Sequence, residues 1–223
     1  MLFEDVPEMW LGGFEAMRSK YLSLLSLVER SGVDELILWL VNTDFFEAPA
    51  SSNGHNNYEG GLVEHSLEVY YNLITLTKKD DNLPPDTNYQ TLILISLCHD
   101  ICKADFYKRS FKQKKRTGPD GEDCLNEKGK PIWDTVPFYA IEDKFPAGHG
   151  EKSVFILQRF LRLTEEETLA IRWHMGGFDD TARSYAGGLS LTNAIQKYPL
   201  IALLHCADLY ASIPKPDQEG IRV

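Results

Sequence analysis

Six histidines occur in this 223-residue chain, and five of them lie on or just before stretches with helical apolar spacing. His65 stands in Gly60-Gly61-Leu62-Val63-Glu64-His65-Ser66, and His99-Asp100 follows the apolar run from Leu92 to Cys98. His149 follows Gly148, His174 precedes Met175-Gly176-Gly177, and Asp208 closes Leu203-Leu204-His205-Cys206-Ala207-Asp208. An ionised aspartate directly after an apolar run is costly to bury unless a cation or hydrogen bonds compensate it, and a metal would satisfy His99 and Asp100 together. Imidazoles mixed with carboxylates suit first-row ions such as Mn, Fe, Co or Zn, whereas Ca and Mg prefer all-oxygen shells. For any one histidine a packed or capping role is the ordinary account. The joint pattern is what points to a metal.

The elements that must position these residues are helical almost throughout. Apolar residues recur at i, i+3 and i+4 over 14–28, 33–45, 62–76, 89–103, 152–163, 165–173 and 192–212. Ser31-Gly32 separates the first two helices, 49–61 reads as a loop, Thr164-Glu165-Glu166-Glu167 reads as a capping box, and Pro199 is expected to kink or split the last region. Residues 104–148 depart from this pattern. There Lys128-Gly129-Lys130, followed by 132–141, predicts a β-hairpin inserted between helices, and an insertion of this length usually covers a site or moves. The expected fold is therefore all-α, a single domain over 1–223 with a small β-hairpin insertion at 104–148.

Hydrophobic residues make up 43% of the chain and charged residues 25%, the usage of a globular protein that needs no covalent staples. The four cysteines match no disulfide framework or zinc ribbon, so they are expected as reduced thiols in a cytoplasmic chain. Cys98 and Cys102, one helical turn apart, could share a metal but are expected as buried small hydrophobes. The start, Met-Leu-Phe-Glu-Asp, is acidic, and no apolar run approaches the ~18 residues of a membrane span, so neither export nor a membrane partner is expected. A net charge of -10 excludes a protein whose whole surface grips nucleic acid but leaves room for a local basic site. Apolar residues in the first two helices would suit either a dimer face or a cap on the core, and the oligomeric state stays open.

The series His65, His99-Asp100, His149, His174, Asp208 resembles the HD superfamily of metal-dependent phosphohydrolases, in its dinuclear branch. Leu97-Cys98-His99-Asp100-Ile101-Cys102-Lys103 is similar to that family's His-Asp-Ile-Gly-Lys element, with Cys102 where the family has Gly. Gly148-His149-Gly150-Glu151 and Trp173-His174-Met175-Gly176-Gly177 resemble the branch's two additional histidines, and the strings together are similar to the HD domain of bacterial 3'-to-5' exoribonucleases. The resemblance, which runs from about His55 to Ser212, implies a helical HD domain holding two divalent transition-metal ions (Mn, Fe, Co or Ni). One ion would take His65, His99, Asp100 and Asp208, and the other His149 and His174, with Asp100 bridging. It also implies hydrolysis of a phosphoester, for which such ions polarise phosphate oxygens and activate water. Asp100 and Lys103 would then be the catalytic residues, Lys103 stabilising charge on the phosphate or leaving group.

Residues 103–116 carry Lys103, Lys108, Arg109, Lys112, Lys114, Lys115 and Arg116 against one acid, Asp105, in an otherwise acidic chain. This segment could draw a phosphorylated small molecule or short nucleic acid to the metal, with Phe106, Tyr107 and Phe111 free to stack on bases; the plain alternative is a solvated loop. His55, Lys103, Lys112, Lys115 and Arg116 are the substrate-binding candidates. Glu68 and His205 could support the ligands from behind, and Arg172 and Asp179-Asp180 flank His174. The same ligand pattern also resembles di-iron oxygenases of the inositol-oxygenase type, and a noncatalytic metal- or nucleotide-binding module is the third reading.

Overall fold

Helical apolar spacing produces eight α-helices among the described residues, 13–78 and 88–213, of this computed structural model. They are α1 (Gly13–Leu25), α2 (Val33–Val41), α3 (Gly61–Thr77), α4 (Tyr89–Cys98), α5 (His149–Leu157), α6 (Glu165–Trp173), α7 (Tyr185–Lys197) and α8 (Leu200–Ala211). One antiparallel hairpin, β1 (Tyr107–Lys115) with β2 (Trp133–Ile141), stands between α4 and α5, so the fold is mainly helical with a hairpin inside 104–148, as expected. The acidic N-terminal stretch and both ends of the 1–223 span lie outside the described residues. No helix among the described residues is long and apolar enough to cross a membrane.

The hub is α4. Residues Thr91 to Cys98 are all buried, because a helix that is apolar on every face has no side to turn to water. Asn88 starts it, its side chain accepting from Gln90 N at 2.9 Å. At roughly 1.5–3 kcal/mol for each fully buried Leu or Ile, Ile93, Leu94, Ile95 and Leu97 make α4 a major source of the folding free energy. Helix α3 lies against α4 and α8, α6 lies against α4, α5 and α8, and α1 covers α3 and α4. The fully buried Tyr21 of α1 donates its hydroxyl to Leu97 O at 2.9 Å and meets Phe45 and Phe46 with ring centroids 5.2 and 5.5 Å away. The C-terminal end of α4, and with it His99-Asp100, therefore sits inside the bundle.

Several boundaries differ from those the sequence suggests, each for a local reason. Helix α4 stops at Cys98 instead of running to 103, because Asp100 leaves the helical region (φ -107°, ψ 19°) and a 3-10 turn, Ile101–Lys103, follows. Helix α2 ends at Val41, where the Asn42 side chain donates to Leu38 O at 2.7 Å and Phe45 and Phe46 turn into the core. Pro199 does split the last region, but α7 begins at Tyr185, capped by Ser184; its buried residues are just Gly187 and Ala194, too few to leave an apolar signal. At Gly61 a Cβ would fall 2.0 Å from Asn56 O, so the loop before α3 folds back onto the helix start and carries His55 inward.

The hairpin's first strand is the basic segment itself. Tyr107 stands opposite Ile141 and Lys115 opposite Trp133. The turn expected at Lys128-Gly129-Lys130 is present, with Gly129 at φ 69°, but closes just the bridge of Leu125 to Pro131 within the connection between the strands. The first strand is mostly exposed, with Tyr107 and Ser110 alone half-buried, so 107–115 carries no apolar alternation and gave no strand signal.

The Thr164 capping box forms as expected, and its acid also ties α6 to α4 and to the loop between α1 and α2. Glu167 Oε2 accepts from Thr164 N at 2.8 Å, while the fully buried carboxylate takes both terminal nitrogens of Arg30, at 2.8 and 2.6 Å, and Thr91 Oγ1 at 2.8 Å. Burial pushes the Glu167 pKa up, but Arg30, Thr164 and Thr91 outweigh it and hold the group below its usual range. A lowered folded pKa contributes stability above the unfolded value of about 4.3 and loses it as pH falls through the folded one. Glu167→Ala should cost about 3 kcal/mol of unfolding free energy, read by urea titration at pH 7, and flatten the acid side of the stability profile.

Candidate metal centre

Three imidazoles present bare nitrogens to one another. His99, at the C-terminal cap of α4, donates Nδ1–H to Ser96 O at 2.8 Å, and His174, at the cap of α6, donates Nδ1–H to Ile171 O at 2.7 Å. Each bond fixes the tautomer and leaves Nε2 as a lone pair, the posture of a metal ligand. His65 lies one turn into α3, within a stretch buried from Gly61 to Tyr70. Nε2 of all three, and Nδ1 of His65, are buried without a hydrogen-bond partner.

Two carboxylates fill the space between these rings. Asp208 Oδ1, from α8, lies 3.1 Å from His65 Nε2 and 3.8 Å from His99 Nε2. Asp100 Oδ2 lies 3.4 Å from His99 Nε2 and 3.7 Å from His65 Nε2, and Oδ1 lies 3.4 Å from His174 Nε2. His149, the first residue of α5, reaches Asp100 Oδ1 with Nε2 at 2.8 Å. Ligand atoms within 4.8 Å of one another form three overlapping sets: His65, His99 and Asp208; His99, Asp100 and His174; Asp100, Cys102 and His149. A buried polar atom left unpaired costs on the order of 1–3 kcal/mol, so four such nitrogens around two carboxylates are a demand that cations meet. The residues fit a metal centre of mixed nitrogen and oxygen donors.

No family model, curated protein or solved structure matches this chain. The site therefore stands on its geometry. Two of its supports are side-chain clamps: Arg172 pairs with Glu151 at 2.6 Å and Asp179 at 2.8 Å, joining the start of α5 to the end of α6, and His205 Nδ1 donates to His174 O at 2.7 Å. At Gly150 a Cβ would fall 2.2 Å from Arg172 O, so glycine is what lets His149 approach His174, with ring centroids 5.8 Å apart.

Charge at the centre is balanced internally. Burial pushes Asp100 up, but Lys103, His99 and His149 outweigh it and hold the carboxyl well below its usual range. Asp208 is likewise held low against burial, by His65 and His99. Lys103 is buried with Nζ 2.6 Å from Asp100 Oδ2, and that carboxylate raises its pKa against the burial that lowers it. Burial dominates at His65 and His174 and lowers both, whereas at His99 Asp100 outweighs burial and the pKa rises. Burial, then His65 and Lys103, bring His55 down to about 4; at His149, burial is outweighed by Cys102 and Asp100, and the pKa rises to about 10.

His65, Asp100, His149 and Asp208 form the floor of a cavity of about 520 Å³ whose wall includes His55, Lys103, Tyr107, His205 and Ser212, while His99 and His174 are fully buried behind them. A larger, open cleft of about 820 Å³ beside Arg30 and Arg162 carries none of these groups. His55 stacks near His65, with centroids 4.9 Å apart. Lys112, Lys115 and Arg116 are placed elsewhere, out on the hairpin: Lys112 lies over the Phe138 ring, Lys115 pairs with Asp123, and Arg116 pairs with Asp134. Lys115 follows Tyr107 by eight residues, about 26 Å at the rise of a strand. Glu68 is buried but makes no hydrogen bond to His65 Nδ1. Tyr107, a stacking candidate in the basic segment, stands in the cavity wall, whereas Ser212 beside His55 arises from tertiary folding and left no signal in the sequence. After reconstitution with Mn or Fe(II), elemental mass spectrometry should find close to two ions per chain, and Asp100→Ala should lose them. The ions should raise the melting temperature of the wild type and leave that of the variant unchanged.

Proposed function

We propose that this chain is a metal-dependent phosphohydrolase of the HD type, cleaving a phosphoester of a nucleotide or short oligonucleotide. The observation that carries the reading is the convergence of His65, His99, Asp100, His149, His174 and Asp208 from five helices or helix ends on one cluster, which opens to a cavity through His65, Asp100, His149 and Asp208, with three Nε2 lone pairs unpartnered. The chemistry that two divalent transition ions supply there is Lewis-acid polarisation of a phosphoryl oxygen and a water acidic enough to attack near neutral pH.

The protein's own groups do the rest. His65, His99 and Asp208 would hold one ion and His149 and His174 the other, with Asp100 between them. Asp100 is central because its two oxygens face different histidines, Oδ1 toward His149 and His174 and Oδ2 toward His65 and His99. Lys103 places a buried ammonium beside this carboxylate and in the cavity wall, where positive charge stabilises the growing negative charge of a phosphoryl group or leaving oxygen. His55 and Tyr107 line the approach and orient the substrate. Lys112, Lys115 and Arg116 act from the hairpin through the field they add in a chain of net charge -10, drawing an anion toward the mouth.

Turnover of nucleotide phosphoesters, followed by phosphate or nucleoside release, should require Mn, Fe, Co or Ni, stop with a chelator, and vanish in Asp100→Ala. Lys103→Met should lower kcat about 100-fold. Neutralising Lys112, Lys115 and Arg116 together should raise KM more than it lowers kcat and weaken the salt dependence. Oxygen uptake stoichiometric with product, in place of phosphate release, would replace the hydrolase with an oxygenase. Tight ligand binding without turnover under every metal would leave a binding module.

A further inference from the structure

Cys98 and Cys102 are one helical turn apart in sequence, yet the fold sends them to different places. Cys98 Sγ faces the Tyr21 hydroxyl at 3.8 Å in the apolar core, and burial pushes its thiol up to about 12, the condition of an inert buried cysteine. Cys102 lies past the end of α4, in the 3-10 turn, where its N–H donates to Ser153 Oγ of α5 at 3.3 Å. Its side chain is turned toward the metal centre. Sγ lies 3.5 Å from His149 Nδ1 and 3.7 Å from His149 Nε2, and Cys102, Asp100 and His149 each offer a ligand atom within 4.8 Å of the others. The fully buried, unpartnered Nε2 of His174 points at the same Asp100 oxygen that His149 contacts.

These spacings are those of ligands around one ion. Metal bonds of about 2.3 Å to sulfur and about 2.0 Å to nitrogen, opened to the tetrahedral angle, separate sulfur from nitrogen by about 3.5 Å. We propose that Cys102 is a ligand of the ion held by Asp100 and His149, making that half of the centre a sulfur-containing site selective for zinc, cobalt or iron(II) over manganese or magnesium. The proposal rests on the reading of the cluster as a metal centre. On binding, the Cys102 thiol gives its proton to solvent and the thiolate forms the bond to the ion, with no change of oxidation state. The present hydrogen bond of His149 to Asp100 is the contact that a shared ion replaces. Softness decides the preference: thiolate favours zinc, cobalt and iron, whereas carboxylate and water favour manganese and magnesium.

Cobalt(II) reports the bond directly, because cobalt–thiolate bonds give sulfur-to-metal charge-transfer absorption in the near ultraviolet and nitrogen or oxygen ligation does not. The full chain, reduced and stripped of metal with a chelator, is titrated anaerobically with cobalt while bound cobalt is counted by elemental analysis. The band should appear as cobalt binds, disappear in Cys102→Ser and in Cys102→Ala, and persist in Cys98→Ser, Cys124→Ser and Cys206→Ser. One class of cobalt site should weaken at least about tenfold in both Cys102 variants while manganese binding shifts less. Circular dichroism confirms that the variants compared are folded. Cobalt bound by the wild type without the band, or a band that survives in Cys102→Ser, overturns the thiolate ligand and leaves the metal centre standing. No cobalt bound at all overturns both.

Discussion

A carboxylate held inside an apolar bundle is the constraint on which the rest of this structure depends. Asp100 is 3% exposed, at the end of a helix buried on every face. An ionised group there is tolerable only if positive charge and hydrogen-bond donors surround it. Lys103 and His149 make the close contacts, and His65, His99 and His174 complete the shell from α3, α4 and α6. The helix crossings can be read as the arrangement that brings those groups to one carboxylate. The cost does not vanish, because four buried imidazole nitrogens remain unpaired. It is offset by the apolar burial of α4, so the element that contributes most visibly to stability is the one that carries the most costly residue.

That coupling also explains what was legible in the sequence. Helix α4 could be read because a run from Leu92 to Cys98 has one physical outcome, burial, and the six metal-ligand candidates could be read because each stands at or near a helix end beside such apolar residues. The capping box at Thr164 could be read because its partners are three residues apart. Helix α7 began earlier than the pattern suggested because its surface is mostly wet, and β1 was hidden because a two-stranded ribbon asks nothing of apolar alternation. Lys112, Lys115 and Arg116 looked close to the metal because they follow His99-Asp100 in sequence, but an extended strand carries them away about twice as fast per residue as a helix.

Cys102 shows most clearly where spacing stops being informative. Two cysteines at i and i+4 share a face only while the helix continues, and here the helix ends between them. The departure of Asp100 from helical geometry both points its carboxylate into the bundle and rotates Cys102 away from Cys98 toward His149. A single backbone event therefore sets the orientation of the buried acid and of the neighbouring thiol. Sequence periodicity carries no record of it, because it depends on what the end of α4 meets in three dimensions.

The centre is also asymmetric in its access to water. Side chains of His65, His99 and His174 are at most 1% exposed, whereas that of His149 is 29% exposed and stands at the start of a helix held by the Arg172 clamp. Groups on the His65 and Asp208 side are fixed by the packing of α3 against α8, the most extensive helix contact in the bundle. On the other side, α5 depends on α6 and on the short turn that carries Cys102. The deep half is thus preorganised by the core and the outer half by a few polar contacts. Polar contacts near solvent open at lower free energy than a packed core does. The His149 half, which shares the cavity lining with Lys103 and Tyr107, is therefore the part of the centre that opens more readily.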